Sequence, residues 1–243
     1  MQIGRKLIHL ESVDSTNNYT ANLVKSQGLA SGTVILADEQ FAGKGQRGSE
    51  WHAEPGMNLT FSTYLELANL SVENQFDLSK LIALSLCHFL EKLGLRPEIK
   101  WPNDILIGGR KISGVLIENM ISGKGPLRSI IGVGLNINQM RFGKFDATSI
   151  QCELGQFYPV RDALYSVVTS FNELSMELLN QPELLHERYL EKLYRYKSMH
   201  SFKDAEGVFK GEILGVAPSG KLIVLKNGGQ VEYDLKEIKF LKA

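Results

Sequence analysis

The chain has 243 residues, a length that accommodates one large domain or a main domain with a small appendage. Apolar residues make up 43% and charged residues 22% of the chain, which argues against a disordered protein, a collagen repeat and a membrane bundle. The 27 basic side chains balance the 27 acidic ones, so no overall positive field exists to attract nucleic acid or an anionic membrane. We therefore expect any anion site to be local.

The two cysteines and five histidines do not form a metal-binding pattern. No C-x-x-C pair accompanies Cys87 or Cys152, so a structural zinc site is not expected. Cys87 lies in the apolar run 81–90, where a small buried hydrophobe is expected. The first residues lack the features of a secretory signal, and no apolar stretch is long enough to span a bilayer. These features predict a cytoplasmic protein without membrane contact.

The first half of the chain alternates strands and helices. Alternating apolar residues over 6–13 predict a strand, and capping side chains at 14–16 predict a helix that Gly28 ends. Strands are predicted at 33–39 and 58–67, joined by a long glycine-containing loop, and helical spacing predicts a helix over 76–93. Four β-rich runs separated by turn residues then predict antiparallel neighbours, at 98–101, 104–107, 111–122 and 128–138.

The second half predicts two helices followed by a small β region. Residues 139–155 show no regular pattern, and helices are predicted at 160–179 and 183–196, separated by Pro182. From Phe202 short β runs alternate with turns at 218–220 and 227–229, which predicts a small β-barrel packed on the main domain. We therefore expect a main domain over residues 1–200 and a C-terminal β domain over residues 201–243.

The loop at residues 43–48 reads G-K-G-Q-R-G and matches the G-x-G-x-x-G pattern of dinucleotide sites. That site needs a helix to begin at the loop, whereas here a Pro-Gly break and a predicted strand follow. We therefore reject a Rossmann site, and the Walker A motif also fails because no Gly-Lys pair precedes Ser or Thr. The glycines would let backbone N–H groups approach an anion, and Lys44 and Arg47 would add charge-assisted hydrogen bonds, as in a mobile loop that closes over a phosphate. A solvated basic turn is the alternative.

Two further segments have a composition suited to a binding site. Lys111 begins an apolar strand and could point its ammonium into a cleft, with Gly114 permitting close approach of a ligand; an exposed hairpin lysine is the alternative. Gly132 and Gly134 lie two apart on a predicted strand, so both face the same side. They predict a slot for a flat ligand or, alternatively, the close packing of a helix.

Taken in order, these segments resemble the catalytic region of the biotin protein ligases. The matching stretches are 14–17, Gln40 with 43–48 and Trp51, 100–104, 110–114 and 132–138. The resemblance covers essentially the whole chain. It implies an α+β fold with a mixed, mainly antiparallel sheet packed with helices, as in class II synthetases, and a C-terminal SH3-like β-barrel. It also implies ATP-dependent activation of biotin to biotinyl-5'-AMP and transfer of the biotinyl group to a lysine of a carboxylase carrier domain, with Mg²⁺ accompanying ATP.

The resemblance also implies roles for individual residues. The residues with catalytic roles are Lys111, Arg47 and Asp104. The residues around biotin are Ser15, Thr16, Asn17, Gln40, Gly43, Lys44, Gln46, Lys111, Gly114, Gly132 and Gly134. The residues around ATP are Arg47, Trp51, Lys100, Asn103, Lys111 and Asn136, with Asn136 also a Mg²⁺ ligand.

The chain departs from the family's pattern at two points. The family's loop usually carries arginines where this chain has Lys44 and Gln46, which weakens bidentate phosphate contacts. The first motif begins near Glu11 with no helix-turn-helix before it, so we expect a monofunctional enzyme that does not bind DNA. A homodimer is a further expectation of the resemblance. The alternative functions are a lipoate protein ligase and a non-catalytic biotin-binding module.

Overall fold

The main sheet has seven strands in a computed structural model that describes residues 1–67, 74–120, 127–178 and 180–241, without the side chains of residues 47 and 178. The strands are β1 (Lys6–Val13), β2 (Thr33–Gln40), β3 (Leu59–Leu67), β4 (Pro97–Lys100), β5 (Asp104–Ile107), β6 (Arg110–Met120) and β7 (Leu127–Leu135). Their order is β1-β2-β3-β7-β6-β5-β4. Only the β1–β2 pair among these strands is parallel, as expected when a helix connects two strands, so the mixed, mainly antiparallel sheet is confirmed.

The helices of the described residues are α1 (Thr16–Ser26), α2 (Phe76–Lys92), α3 (Ile150–Leu154), α4 (Val160–Leu178) and α5 (Pro182–Glu191). The helix α2 packs against α4 and α5 and buries its apolar side chains. Cys87 on α2 is fully buried, as predicted, and burial raises the pKa of its thiol. None of the described helices combines the length and apolar character needed to cross a bilayer.

Several predicted boundaries differ from the structure. The irregular stretch 139–155 contains α3, whose first turn is capped where the Ser149 hydroxyl accepts a hydrogen bond from the backbone of Cys152. The helix α5 ends at Glu191 rather than 196, because Lys192 and Tyr194 form backbone hydrogen bonds with Ile99 of β4. The strand β7 ends at Leu135 rather than 138. Residues 121, 122 and 179 of the predicted elements lie outside the described residues.

The C-terminal region forms a second, antiparallel sheet. Its strands are β8 (Met199–Asp204), β9 (Gly207–Val216), β10 (Leu222–Lys226), β11 (Gly229–Tyr233) and β12 (Lys239–Phe240), in the order β11-β10-β9-β8-β12. The indole nitrogen of Trp101 donates to the carbonyl of Gly220 at 2.8 Å, which ties this sheet to the end of β4. Closure of the sheet into a barrel and a domain boundary at 200/201 both stay predictions.

Candidate active site

A cavity of about 220 Å³ opens over the strands β6 and β7. The first turn of α1, the loop between β2 and β3, and the start of β5 complete its walls. The structure therefore brings together side chains that are far apart in the chain. The predicted site residues that line the cavity are Ser15, Thr16, Asn17, Gln40, Lys44, Gln46, Trp51, Asn103, Asp104, Lys111, Gly114, Gly132 and Gly134.

The indole ring of Trp51 lies on the floor of this cavity. Gly114 and Gly134 are paired across β6 and β7, and both are covered by the ring. A Cβ atom on Gly134 would lie 2.5 Å from Cζ2 and 2.7 Å from Cδ2 of the indole, so any side chain there would displace the ring. The predicted slot over Gly134 is thus filled by the protein's own tryptophan. The indole nitrogen is buried without a hydrogen-bond partner among the described residues.

Gly132 has a different reason for lacking a side chain. The amide of Asn17, in the first turn of α1, crosses over it, and a Cβ atom there would lie 3.0 Å from Cγ of Asn17. Asn17 bridges the sheet, because Nδ2 donates to Glu118 of β6 at 2.7 Å and Oδ1 accepts from Ser62 of β3 at 2.6 Å. The packing of α1 therefore accounts for the missing side chain at Gly132, which also lines the cavity.

The start of α1 is also bonded to the end of β2. The backbone N–H and the hydroxyl of Thr16 both donate to Oε1 of Gln40, at 2.7 and 2.9 Å. Both side chains are thereby oriented at the cavity wall, where amide and hydroxyl groups can form hydrogen bonds to a polar ligand.

Lys111 and Asp104 form an ion pair at the mouth of the cavity. The ammonium of Lys111 lies 2.6 Å from Oδ1 of Asp104 and 5.7 Å from the centre of the Trp51 ring. A bulge between β5 and β6 positions the lysine, because the register changes between Ile105 and Leu106. The lysine side chain is 37% exposed, so its charge is accessible to a ligand. Because Lys111 pairs with Asp104 and lines the cavity, a lysine that points into a cleft describes it better than an exposed hairpin lysine.

A second cavity of about 170 Å³ adjoins the first and shares Glu50, Trp51 and Lys111 with it. Apart from Asn136, its further lining was not predicted, and most of that lining lies in residues 139–155, which carried no periodic signal. A pair of phenylalanines around Gly143-Lys144 was the one available signal, and the Phe145 ring stacks on His52 at 5.4 Å between centroids. The further lining residues are His52, Asn136, Phe142, Phe145, Asp146 and Ala147.

Two predicted site residues, Lys100 and Gly43, do not line these cavities. Lys100 lines neither of them, because its ammonium lies 5.6 Å from the centre of the Phe240 ring in β12. The binding of ATP by Lys100 stays a prediction. Gly43 lines a neighbouring cleft, where a Cβ atom would lie 2.5 Å from the carbonyl oxygen of Trp51. The Arg47 side chain lies outside the described part of the structure.

The glycine-rich loop does not begin an α-helix. A single turn of 3₁₀ helix spans Gln46–Gly48 and leads to β3, so the rejection of a Rossmann site is confirmed. The ammonium of Lys44 donates to Oδ1 of Asn18 at 2.7 Å, which holds the loop against α1. Asn103 is held in turn, because Nδ2 donates to the carbonyl of Val115 beside Gly114.

Comparisons with known proteins agree with this fold. A model of the Biotin/lipoate A/B protein ligase family matches residues 9–136, which is more than half of the chain. The chain therefore belongs to this family.

Individual relatives are similar over different lengths. The bifunctional ligase/repressor BirA of Bacillus spizizenii is 30% identical over 218 residues, which cover 88% of this chain and 61% of that protein. This chain thus spans less than two thirds of that relative. A biotin (acetyl-CoA-carboxylase) ligase of Paracoccus denitrificans is 37% identical over 134 residues, 53% of each chain. The Aquifex aeolicus biotin protein ligase, solved with biotin and ATP, is 26% identical with a TM-score of 0.81, covering 99% of this chain and 100% of that one.

Proposed function

We propose that this protein is a biotin protein ligase. It would condense biotin with ATP to biotinyl-5'-AMP and pyrophosphate, and then transfer the biotinyl group to a lysine of a carboxylase carrier domain. The observation that carries the proposal is the pair of adjoining cavities that share Trp51 and Lys111. Two substrates held on either side of one ammonium can react with each other. Similarity to the biotin ligases of Paracoccus denitrificans and Aquifex aeolicus favours biotin over lipoate.

In the first step, a carboxylate oxygen of biotin attacks the α-phosphorus of ATP. A phosphorus–oxygen bond forms and the bond to pyrophosphate breaks, which builds negative charge between the two cavities. The Lys111 ammonium lines both cavities and would stabilise that charge. Thr16 and Gln40 would bind the ureido ring, together with Ser15 and the backbone at Gly114.

In the second step, the amine of the carrier lysine attacks the acyl carbon. The new carbon–nitrogen bond replaces the bond to phosphate, AMP leaves, and the amine releases a proton. Asp104 would orient the amine and accept that proton, because its carboxylate lies beside Lys111 at the mouth of the cavity.

The loop at residues 43–48 would close over the adenylate and exclude water from a hydrolysable anhydride. Lys44 and Gln46 already line the cavity, and Arg47 would add a bidentate phosphate contact. Trp51, Asn103 and the second cavity would hold the nucleotide.

Magnesium would be bound chiefly through the phosphates of ATP. The described residues contain no cluster of three His, Cys, Asp or Glu side chains, and an ATP-bound Mg²⁺ needs only one or two protein ligands. Asn136 fits one of these positions: its amide nitrogen donates to Thr148 at 2.9 Å, which leaves its oxygen as the group to offer. The ion would supply neutralisation of phosphate charge.

Mass measurement of an apo carrier domain tests the proposal. We expect the carrier to gain one biotinyl group in the presence of the protein, biotin and MgATP, and no gain without ATP. Free lipoate, but not biotin, competing in an adenylation assay would indicate a lipoate ligase instead. Biotin binding without pyrophosphate release would indicate a non-catalytic module. A carboxylase carrier domain as partner, a homodimer and a cytoplasmic location are part of the same proposal.

A further inference from the structure

Five polar side chains form a hydrogen-bonded line that reaches the cavity wall at Asn17, Thr16 and Gln40. We call this line the polar row, and its members in order are Glu118, Asn17, Ser62, Thr16 and Gln40. Asn17 Nδ2 donates to the Glu118 carboxylate at 2.7 Å. The Ser62 hydroxyl lies 2.6 Å from Asn17 Oδ1 and 2.7 Å from Thr16 Oγ1. Thr16 Oγ1 lies 2.9 Å from Gln40 Oε1. The row joins three strands and the first turn of α1.

Near each end of the polar row, an amide oxygen is directed toward the hydroxyl groups in the middle of the row. An ionised carboxylate only accepts hydrogen bonds, so Glu118 holds Nδ2 of Asn17 toward itself and directs Oδ1 toward Ser62. At the other end, the backbone N–H of Thr16 donates to Gln40 at 2.7 Å and so directs Oε1 toward Thr16. Two amide oxygens therefore face the two hydroxyls between them.

The polar row consequently has fewer hydrogens than acceptors. Ser62 and Thr16 contribute one hydroxyl hydrogen each, but there are three oxygen–oxygen contacts between Asn17 and Gln40. A ligand that brings further lone pairs adds to this excess, whereas a ligand that brings N–H groups reduces it. The ureido ring of biotin carries two N–H groups and one carbonyl, so the hydrogen-poor row suits the N–H groups of that ring.

We infer that Glu118 is a positioning residue that makes the polar row a reader of ureido N–H groups. Glu118 does not line the biotin cavity itself and acts through Asn17, which does. Without the carboxylate, the Asn17 amide could rotate by half a turn and present Nδ2 to Ser62, which reverses the pattern that the ligand meets. This inference rests on the proposed function and names a residue that sets its specificity.

Calorimetry with Glu118→Gln tests the inference, since a glutamine can donate as well as accept and no longer dictates the orientation of Asn17. The two ligands are biotin and a biotin methylated at a ureido nitrogen, which lacks one N–H group. We expect Glu118→Gln to raise the Kd of biotin about tenfold, as for loss of a charge-assisted hydrogen bond. We expect its preference for biotin over the methylated compound to fall with it, and Glu118→Asp to retain the preference. Glu39→Gln is the matched control, because that carboxylate accepts from Ser12 at 2.9 Å outside the cavity.

The outcomes separate the two proposals. Unchanged biotin affinity in Glu118→Gln, or equal weakening of both ligands, would overturn the positioning role. Wild-type protein that binds no biotin would instead overturn the proposed function, and the inference with it. Ser62→Ala provides a second variant, and it should also reduce the preference because it removes the link between Asn17 and Thr16.

Discussion

The indole ring of Trp51 lies against the backbone of Gly134, closely enough that no side chain fits between them. The same ring faces both cavities and lies 5.7 Å from the Lys111 ammonium. One aromatic side chain thus lines both the proposed biotin cavity and the proposed nucleotide cavity. Its position depends on the absence of a single methyl group on β7.

Gly134→Ala should displace Trp51 and impair adenylate formation by tenfold or more. The added Cβ would meet ring atoms at 2.5 and 2.7 Å, so the indole must move away from Lys111. Pyrophosphate release and tryptophan fluorescence measure the two effects. Gly229→Ala is the control, because its Cβ would meet only the carbonyl oxygen of Lys226 at 3.8 Å. Normal adenylation with unchanged fluorescence in Gly134→Ala would contradict this role of the glycine.

Lys111→Ala should reduce adenylate formation by on the order of a hundredfold, as for removal of an electrostatic contact to the transition state. Asp104→Asn should reduce the rate of adenylate formation less than Lys111→Ala does. Its main effect should be slower transfer of the biotinyl group to the carrier. Single-turnover measurements of pyrophosphate release and carrier biotinylation separate the two steps. Lys92→Ala, which removes an exposed ion pair to Glu173, should change neither. The roles would be wrong if both variants affected both steps equally.

Gln46→Arg should slow the loss of biotinyl-5'-AMP when no carrier is present. Gln46 lines the cavity, and an arginine there could form two charge-assisted hydrogen bonds to the phosphate. One such bond corresponds to about a tenfold slower release. Quenched-flow analysis of retained adenylate measures the rate. An unchanged release rate would show that the neutral side chain of Gln46 does not limit how tightly the loop binds the adenylate.

Asp204→Asn should remove an acid-sensitive part of the protein's stability. Hydrogen bonds from Lys226 at 2.7 Å and Tyr233 at 2.8 Å lower the pKa of Asp204 to about 2, and Lys226 is the main cause. Because this pKa lies below the unfolded value, the stabilisation is complete above about pH 4. It is lost as the pH falls toward 2.

Urea unfolding at several pH values tests that prediction. The wild type should be more stable than Asp204→Asn at pH 7, and the difference should shrink between pH 4 and pH 2. A difference that stays constant over this interval would contradict the shifted pKa of Asp204.

The elements of the fold could be predicted from the sequence because their signals are local. The helical spacing over 76–93 and the turn residues between the β runs depend only on neighbours in the chain, and α2 and β4–β7 occur close to the predicted positions. The sequence motifs also identified most residues of the first cavity, but they did not indicate which of these residues contact each other. The predicted ends of elements were wrong where the backbone forms hydrogen bonds with a segment distant in sequence. Lys192 and Tyr194, which bond to β4 instead of continuing α5, are an example.

Only the tertiary structure decided which groups meet. Lys100 belongs to a motif of the site, yet it lies beside Phe240 of the second sheet. Gly132 accommodates Asn17, and Glu118 and Ser62 orient that amide although they lie 101 and 45 residues away in the chain. A sequence pattern reports which side chains share a face of one element. The contacts between faces follow from strand order and register, which the folded chain as a whole determines.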